Sequence, residues 1–312
     1  MNLSIKHLLG LEGVSRKDIL LVLDTARSFR QILERPVKKV PTLRGVTIAN
    51  LFFEPSTRTR ISFELAEKRL SADVVNFSAD ASSLKKGETL IDTARNIEAM
   101  KVDMVVMRHA YPGAAQFLSR YVSSVMVNAG DGAHEHPTQA LLDFYTIREH
   151  FDRFRDLRVV IVGDIKHSRV ARSDIWGLKT LGASVAVCGP STLLPRYIDT
   201  FGVDHFTDVE EALKGANVVN VLRLQLERQT SGYIPSLREY REYFGIKKHH
   251  LSLLDKNHII MHPGPINRGI EITPEVADCE DSVILQQVTN GVAVRMAVLY
   301  LLSQNLRTAT EE

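Results

Sequence analysis

The sequence predicts an α/β protein made of two doubly wound domains, each with a parallel sheet. Segments typical of strands and of helices alternate along most of the chain, which is the pattern of parallel βα units. The strand-like segments are nearly continuous apolar runs, as expected when helices cover both faces of a sheet. The chain has 312 residues, more than one typical domain, and the alternation restarts after the basic, aromatic segment 151–156.

The N-terminal region predicts a helix, a strand, a second helix and a second strand. Ser15, followed three residues later by Asp18, resembles a capping box with Asp in place of Glu or Gln. The amphipathic stretch that it opens ends before Pro36. The run GVTIANLFF is apolar enough for a buried strand, and the residues after it have helical spacing. The four elements span residues 18–34, 45–53, 57–70 and 74–77.

The rest of the first domain predicts two more helices and two more strands. The second of these helices is supported by Pro137, because proline is favoured in the first helical turn. The helices span 88–100 and 136–150, and the strands span 104–107 and 125–128.

A second series of alternating elements opens with the apolar run LRVVIVG at Leu157. A last helix-like stretch at 290–303 is expected to pack back on the first domain. The predicted domains are therefore 1–150 and 151–287, with a C-terminal helix at about 288–312 belonging to the first. In the second series the strands span 157–163, 184–188, 216–221 and 258–261, and the helices span 170–181 and 208–213.

Composition and charge exclude several classes of protein. The residues are 44% hydrophobic and 24% charged, which is ordinary for a soluble globular protein. A formal net charge of +2 with mixed acids and bases does not favour a nucleic-acid binder. Cys188 and Cys279 are far apart in sequence, which argues against a zinc ribbon or a disulfide framework and is compatible with a reducing cytosol. No stretch resembles a signal peptide or a membrane span, so we expect a cytoplasmic protein.

The stretch EPSTRTR at residues 54–60 joins the first strand to the helix that follows it. Ligands of parallel α/β sheets bind at the carboxyl ends of strands, and the N–H groups, hydroxyls and guanidinium groups of this junction favour an anion. Phosphate is the natural occupant because arginine binds it bidentately. The alternative is that Ser56 or Thr57 only caps the helix while the arginines are solvated or ion-paired. The stretch lacks the glycines of a Walker loop, so a nucleotide triphosphatase is not favoured.

The segment HEHPTQ at residues 134–139 lies at the start of the helix at 136–150. His-x-His spacing can bind a metal, but no third ligand with suitable spacing is evident. Pro137 instead places His136 at the helix cap, where the dipole lowers the pKa of an imidazole and suits its neutral form to donate to a carbonyl. Gln139 follows one turn later and could reach the same ligand.

Polar side chains follow other predicted strands as well. Arg108 comes directly after one strand, and Arg169 begins a helix in the second domain. Arg223 and Gln225 follow another strand, and the loop at 262–269 holds two prolines and two glycines that would fix backbone carbonyls as acceptors for an amide or amine. Any of these groups alone could be a turn or a surface ion pair, but all of them end parallel strands.

Two other loops carry weaker signals. Gly163 ends a strand of the Rossmann-like kind, but the residues after it do not form GxGxxG. The fold is therefore predicted to be Rossmann-like without a dinucleotide fingerprint. The loop SLKKGE at 83–88 is polar, and taken alone its lysines indicate a solvated charged turn.

Two of these motifs together resemble the motifs shared by aspartate and ornithine carbamoyltransferases. They are FEPSTRTR at 53–60 and HPTQALLD at 136–143, and the resemblance covers essentially the full length of the chain. Three further segments are similar to the aspartate-specific branch of this family, whereas ornithine-specific enzymes carry a cysteine in an His-Cys-Leu-Pro loop. The three segments are the loop at 83–88, Arg223 with Gln225, and the loop at 262–269.

The resemblance implies transfer of the carbamoyl group of carbamoyl phosphate to the amine of L-aspartate. The products are N-carbamoyl-L-aspartate and phosphate, in de novo pyrimidine biosynthesis. No metal and no organic cofactor is implied. The first domain would bind carbamoyl phosphate and the second would bind aspartate. The implied catalytic residues are Arg58, Thr59, Arg108, His136 and Lys86.

The resemblance also implies which residues hold each part of the substrates. Ser56, Thr57, Arg58 and Thr59 would cradle the phosphate, and Arg108 would bridge the phosphate and carbonyl oxygens. His136 and Thr59 would polarise the carbonyl, and Gln139 with the backbone carbonyls around Pro263, Gly264 and Pro265 would hold the carbamoyl NH2. Arg169, Arg223 and Gln225 would bind the two carboxylates of aspartate.

The implied assembly is a homotrimer with shared active sites. Lys86, together with Ser82 or Ser83, would enter each site from a neighbouring subunit. Further assembly with regulatory chains or with dihydroorotase stays open at this point, and neither a nucleic acid nor a membrane is expected as a partner.

Three alternatives from the residues stay open. One is a metal-dependent hydrolase that uses His134 and His136. Another is a catalytically silent binding or scaffold relative, since a fold alone does not confer activity. The nearest within the same class is an ornithine-specific or other carbamoyltransferase.

Overall fold

The computed structural model describes residues 2–78, 89–225 and 232–308. The chain forms two compact units. Unit 1 comprises Met1–Leu142 and Thr289–Glu312, and unit 2 comprises Asp143–Val288. Each unit has its own parallel sheet, which confirms the predicted fold class.

Unit 1 is built on a four-stranded sheet with the strand order β2-β1-β3-β4. Its first helix begins at Arg16, two residues before the predicted stretch, and the predicted cap is confirmed because the Ser15 hydroxyl accepts the N–H of Asp18 at 3.1 Å. Helices α2 and α3 follow β1 and β2, and every pairing in the sheet is parallel. The elements are α1 (Arg16–Leu33), β1 (Thr47–Phe52), α2 (Thr57–Arg69), β2 (Asp73–Ser78), α3 (Leu90–Ala99), β3 (Met104–His109), α4 (Ala114–Leu118), β4 (Val125–Asp131) and the start of α5 (Pro137–Phe151).

Unit 2 is built on a five-stranded sheet with the strand order β7-β6-β5-β8-β9. Its strands are also all parallel. The elements are β5 (Arg158–Val162), α6 (Arg169–Leu181), β6 (Ser184–Cys188), β7 (Asp204–Phe206), α7 (Val209–Leu213), β8 (Val218–Val221), α8 (Leu237–Phe244), β9 (Ile259–Met261), α9 (Pro274–Ala277) and the start of α10 (Ile284–Thr308), with 3-10 turns at Ser191–Leu193, Ile198–Phe201 and Lys248–Leu253.

The chain passes from one unit to the other inside helices. The first crossing lies in α5, between Leu142 and Asp143, and the second lies in α10, between Val288 and Thr289. Helix α10 begins at Ile284, six residues before the predicted stretch, and continues through Gly291. A Cβ at Gly291 would lie 2.7 Å from Nη1 of Arg295 and 3.1 Å from Leu142, so a larger residue would require these two side chains to move.

Four short elements are not predicted by the sequence pattern: α4, β7, α8 and α9. Strand β7 has three residues, of which Asp204 and His205 are exposed. Helix α8 has eight residues, of which Tyr240 alone is buried. These elements follow from the packing of the larger ones and carry little signal of their own.

The central strands supply much of the hydrophobic core of each unit. In unit 1, Leu51, Met107 and Met126 pack against apolar residues of α3 and α4. In unit 2, Val160, Val187 and Val219 are completely buried in the sheet. This burial explains the continuous apolar runs, because side chains on both faces of each central strand are covered. In the part of the chain that the structure describes, no helix combines the length and apolar character needed to cross a membrane.

One carboxyl group is buried inside unit 1. Glu67 of α2 is fully buried, and the amide of Asn50 on β1 donates to its Oε2 at 2.8 Å. The same amide also donates to Asn76 on β2 at 3.1 Å. Burial raises the pKa of Glu67 to about 8 from its ordinary value of 4.5, because a carboxylate loses its hydration there. The side chain is therefore protonated at neutral pH in the folded protein.

We expect the substitution Glu67→Gln to change how stability depends on pH. The folded state keeps the Glu67 proton up to about pH 8, whereas the unfolded chain loses it near its ordinary pKa of 4.5. The free energy of unfolding therefore falls as pH rises between these values, by about 1.4 kcal/mol per pH unit. Glutamine cannot titrate, so the stability advantage of the variant should grow from pH 5 to pH 8 in urea unfolding. Parallel pH profiles for the two proteins would contradict this expectation.

Candidate active site

Three candidate segments of unit 1 follow neighbouring strands of one sheet. Helix α2 follows β1, Arg108 lies near the end of β3, and α5 follows β4. Phe52 of β1 is paired with Arg108, and the N–H of Phe53 donates to the Arg108 carbonyl at 2.9 Å. Because β1, β3 and β4 are parallel and adjacent, their carboxyl ends bring these segments to the same edge of the sheet.

The start of α2 is arranged to receive an anion. Ser56 is the N-cap residue in an extended conformation, and its hydroxyl makes no capping hydrogen bond within the described residues. The first turn after it holds two arginines and no acidic residue. Thr57 and Arg58 are exposed, whereas Thr59 is buried. The alternative in which the Ser56 hydroxyl serves as the helix cap is therefore wrong. The N–H groups of the first turn and the positive end of the helix dipole favour an anion at the start of α2.

Arg60 has a different environment from Arg58. Its Nε lies 3.5 Å from Oε1 of Glu64, one turn further along α2. This is an ordinary pair of the i,i+4 type on a helix surface. Arg60 therefore supports α2, and it stays outside the group of candidate phosphate ligands.

Arg108 is held rigidly at the edge of the sheet. Its guanidinium donates from Nη2 to Oε1 of Glu54 at 2.9 Å and from Nη1 to the carbonyl of Ala129 at 3.2 Å. The Arg108 side chain is 11% exposed and that of Glu54 is 20% exposed, so the pair is only partly screened by water. The role of Glu54 in orienting Arg108 could not be predicted from the sequence. Its only signal is an acidic residue between an apolar strand and a helix start.

His136 occupies the cap of α5, as the position of Pro137 predicts. The carbonyl of His136 accepts the N–H groups of Gln139 at 3.0 Å and Ala140 at 3.3 Å. His136 is buried, and Gln139 is half-buried on the first turn. The backbone of His136 is therefore fixed by the first turn of the helix.

Two buried carboxylates fix the loop before His136. Asp131 accepts the N–H of Gly113 at 2.6 Å and that of Glu135 at 3.1 Å. Glu135 accepts the N–H of Leu11 at 2.7 Å, so it ties the N-terminal segment to this loop. A Cβ at Gly10 would collide with the Glu135 carboxylate. The roles of Asp131 and Glu135 could not be predicted from the sequence, because each also binds a backbone N–H that is distant along the chain, in Gly113 and Leu11.

Within the described part of the chain, the structure does not support a metal site at His134 and His136, and a second group of possible ligands lies in unit 2. Nδ1 of His134 lies 3.1 Å from Oδ2 of Asp131 and belongs to the loop network. Among the described residues, the group of three possible ligands that comes within 4.8 Å lies in unit 2 and consists of Glu210, His249 and His250. Nδ1 of His250 accepts the N–H of Lys247 at 3.1 Å. Its proton is therefore on Nε2, and the ring would have to give up this hydrogen bond to bind a metal.

The candidate aspartate ligands lie at the strand ends of unit 2. Arg169 is the first residue of α6, after the N-cap Ser168, and is almost fully buried. Arg223 and Gln225 follow β8, which is paired with β5 in the sheet. The amide of Gln225 donates to the carbonyl of His167 at 3.1 Å. This contact brings Gln225 to the loop that leads into α6.

The loop after β9 starts at His262 and contains the predicted carbonyl acceptors. Pro263 and Gly264 are half-buried, and Pro265 is exposed. Gly264 has a φ of +65°, which glycine adopts without strain. The N–H of Gly264 donates to Nδ1 of His262 at 2.7 Å. The loop is therefore tied to a buried side chain at its base.

Ser82, Ser83 and Lys86, predicted to enter a neighbouring site, lie outside the described residues. Within unit 1, the structure gathers the start of α2, Arg108 and His136 at one sheet edge. Such an edge can bind a phosphate and polarise a carbonyl next to it. Within unit 2, basic and amide side chains at strand ends can bind carboxylates.

Family models match both halves of the chain. The model described as "Aspartate/ornithine carbamoyltransferase, carbamoyl-P binding domain" matches residues 6–149. The model described as "Aspartate/ornithine carbamoyltransferase, Asp/Orn binding domain" matches residues 155–302.

Similar proteins and structures carry related names. The aspartate carbamoyltransferase catalytic subunit of Cytophaga hutchinsonii is 61% identical over 97% of this chain and 99% of that protein. The corresponding subunit of Christiangramia forsetii is 61% identical over 98% of both chains. The aspartate transcarbamoylase of Trypanosoma cruzi in complex with carbamoyl phosphate and aspartate matches with a TM-score of 0.84, 32% identity and coverage of 94% and 95%. The ornithine carbamoyltransferase of Pyrococcus furiosus matches with a TM-score of 0.85, 30% identity and coverage of 96% and 98%.

Proposed function

The chain belongs to the aspartate/ornithine carbamoyltransferase family, and from this premise we propose how its residues carry out the reaction. The reaction transfers the carbamoyl group of carbamoyl phosphate to the amine of L-aspartate. It gives N-carbamoyl-L-aspartate and phosphate, in de novo pyrimidine biosynthesis. The observation that carries the proposal is the single sheet edge of unit 1 that holds the open N-terminus of α2, the fixed guanidinium of Arg108 and the capping His136.

In unit 1 the proposed ligands bind carbamoyl phosphate. Ser56, Thr57, Arg58 and Thr59 surround the phosphate at the start of α2, where the N–H groups and the dipole favour its charge. Arg108 contacts both the phosphate and the carbonyl oxygen. The hydrogen bond from Arg108 to Glu54 holds its guanidinium in place before the substrate arrives.

The carbonyl group is activated by hydrogen-bond donors. The aspartate amine attacks the carbonyl carbon, a C–N bond forms, and negative charge develops on the carbonyl oxygen. His136, Thr59 and Arg108 are proposed to stabilise this charge. The C–O bond to phosphate then breaks, and the leaving phosphate accepts the amine proton. No side chain of the chain is assigned as a general base.

Unit 2 is proposed to bind aspartate and the carbamoyl amide. Arg169, Arg223 and Gln225 bind the two aspartate carboxylates, which matches their position at strand ends of the second sheet. The backbone carbonyls around Pro263, Gly264 and Pro265 accept hydrogen bonds from the carbamoyl NH2, together with the side chain of Gln139. These assignments correspond to the proposed division into a carbamoyl-phosphate-binding and an aspartate-binding domain.

We also propose a cytoplasmic homotrimer in which Lys86, with Ser82 or Ser83, completes the site of a neighbouring subunit. Its support is an apolar surface on unit 1, where Ile61 and Leu65 of α2 are exposed. Val75 of β2, the edge strand of the sheet, is exposed as well. Exposed apolar residues on an edge strand and its adjacent helix are typical of a subunit interface. The native mass of the purified protein distinguishes a trimer from a larger assembly with regulatory chains or dihydroorotase.

A single assay tests the substrate choice. Carbamoyl phosphate is supplied with either L-aspartate or L-ornithine, and the carbamoyl amino acid is measured colorimetrically. We expect product with aspartate and only background with ornithine. Turnover of ornithine alone would overturn the assignment within the family, and absence of product with both would overturn the proposed function. A preparation treated with a chelator should keep its activity, since a metal-dependent hydrolase would lose it.

A further inference from the structure

A histidine and a glutamate are buried together behind the loop that follows β9. Nε2 of His262 lies 3.3 Å from Oε1 of Glu271, and both side chains are fully buried. Burying a carboxylate lowers the stability of the folded state unless the carboxylate is hydrogen-bonded. The hydrogen bonds of this pair therefore matter to the local structure of the loop.

The protonation of His262 follows from its two neighbours. Its Nδ1 accepts the N–H of Gly264 at 2.7 Å, so the ring proton is on Nε2. That proton is directed to Glu271. The imidazole therefore links the Glu271 carboxylate to the backbone of Gly264, in the middle of the loop.

The same carboxylate oxygen also holds the far side of the loop. Oε1 of Glu271 accepts the N–H of Asn267 at 2.6 Å. The near side is fixed independently, because the N–H of His262 donates to Oε1 of Gln287 at 2.9 Å. Gln287 in turn donates to Oδ1 of Asp143 at 2.7 Å. One oxygen of Glu271 thus connects positions 262 and 267, which flank the proposed carbonyl acceptors.

We propose that Glu271 is a positioning residue that sets the direction of the loop carbonyls toward the carbamoyl NH2. It contacts no substrate and acts through His262 and Asn267. The inference rests on the proposed function, because the loop carbonyls are assigned to the carbamoyl group there. Glu271 therefore determines how strongly the enzyme distinguishes an amide from a group of the same size that cannot donate hydrogen bonds.

The test compares two ligands that differ at this group alone. Acetyl phosphate carries a methyl group where carbamoyl phosphate carries NH2, so it cannot donate to the loop carbonyls. Binding of each to the purified full-length protein is measured by calorimetry. In Glu271→Leu we expect carbamoyl phosphate to bind about tenfold more weakly, while acetyl phosphate binds as it does to the unmodified protein. Glu271→Gln keeps an oxygen that can accept from His262 and from the N–H of Asn267. It should therefore restore most of the difference in affinity between carbamoyl phosphate and acetyl phosphate.

A matched control is available on the same segment. Asp278 forms an exposed ion pair at 2.6 Å with Arg268, which lies near the end of the loop. Asp278→Asn should leave both affinities unchanged, which separates a general disturbance of the segment from the effect of Glu271. If Glu271→Leu does not fold, His262→Asn takes its place. Asparagine at 262 keeps an acceptor for the Gly264 N–H and removes the donor to Glu271, so it should show the same selective loss.

The outcomes are distinct. Equal losses for the two ligands, or unchanged binding of both in a folded variant, would overturn the positioning role. Failure of the unmodified protein to bind carbamoyl phosphate would instead count against the proposed function.

Discussion

Replacing Arg108 with alanine should lower kcat/KM for carbamoyl transfer about 100- to 1,000-fold. The guanidinium is the charged donor at the edge of the unit 1 sheet that is already oriented, by Glu54 at 2.9 Å and by the Ala129 carbonyl at 3.2 Å. Its charge is proposed to face the oxygen on which negative charge develops, so the loss should fall mainly on kcat. Steady-state kinetics with varied carbamoyl phosphate measures the two parameters separately.

Two variants complete this experiment. Arg120 is exposed on the turn after α4, and Arg120→Ala should leave kcat unchanged, which controls for the loss of a positive charge from unit 1. Arg108→Lys keeps the charge but cannot bind two partners in one plane, so it should recover only part of the activity. Wild-type turnover in a folded Arg108→Ala variant would remove Arg108 from the site.

Replacing Arg169 with alanine should raise KM for aspartate about 100-fold, with little change in the affinity for carbamoyl phosphate. Arg169 is almost fully buried at the first position of α6. In the alanine variant an aspartate carboxylate would have no charged partner at this buried position, which lowers the affinity for aspartate strongly. The measurement is kinetics at saturating carbamoyl phosphate, combined with calorimetric binding of carbamoyl phosphate alone.

Arg172, on the same turn of α6, provides the control for Arg169. Its guanidinium lies over the ring of Phe201 at 5.7 Å, which is a packing contact. Arg172→Ala should therefore keep the wild-type KM for aspartate. A higher KM for Arg172→Ala than for Arg169→Ala would show that Arg172, and not Arg169, binds the aspartate carboxylate. Unchanged kinetics in both would remove this helix start from the aspartate site.

The larger elements of the fold could be predicted because each has a local physical signal. Ser15 caps α1, Pro137 opens α5, and the central strands are apolar on both faces. Elements that obtain their stability from neighbours could not be predicted in the same way. Strand β7 is three residues long, with two of them exposed, so it has no alternation that sequence alone reveals.

The candidate site shows a similar division. Ser56, Arg108 and His136 could be proposed as site residues because the carboxyl ends of parallel strands commonly bind ligands, and that rule applies to any sequence in which strands are recognisable. The acids that orient the site could not be found, since their partners are distant in sequence. Glu135 binds the backbone of Leu11, more than a hundred positions away. No periodicity or local motif encodes such a contact.

The buried pair of Glu67 and Asn50 belongs to the same group. A glutamate on a helix normally indicates a solvent-facing position, and nothing near Glu67 in sequence contradicts this. Only the pairing of α2 with β1 places its carboxyl against the Asn50 amide. Sequence patterns therefore recover the scaffold and the polar positions at its strand ends, and three-dimensional packing decides which other polar groups support them.

The passage of the chain inside α5 and inside α10 limits how this enzyme can be divided by genetic engineering. A gene fragment for unit 2 would have to start and stop within helices, at residues 143 and 288. Cutting instead at the loops after Phe151 and before Ile284 would remove Asp143 and Gln287, which are hydrogen-bonded to each other. Split-protein reporters and circular permutants should therefore be opened at loops within one unit. Exchanging unit 2 with that of a relative requires joining two helices in register, so the crossover points belong at matched helical turns.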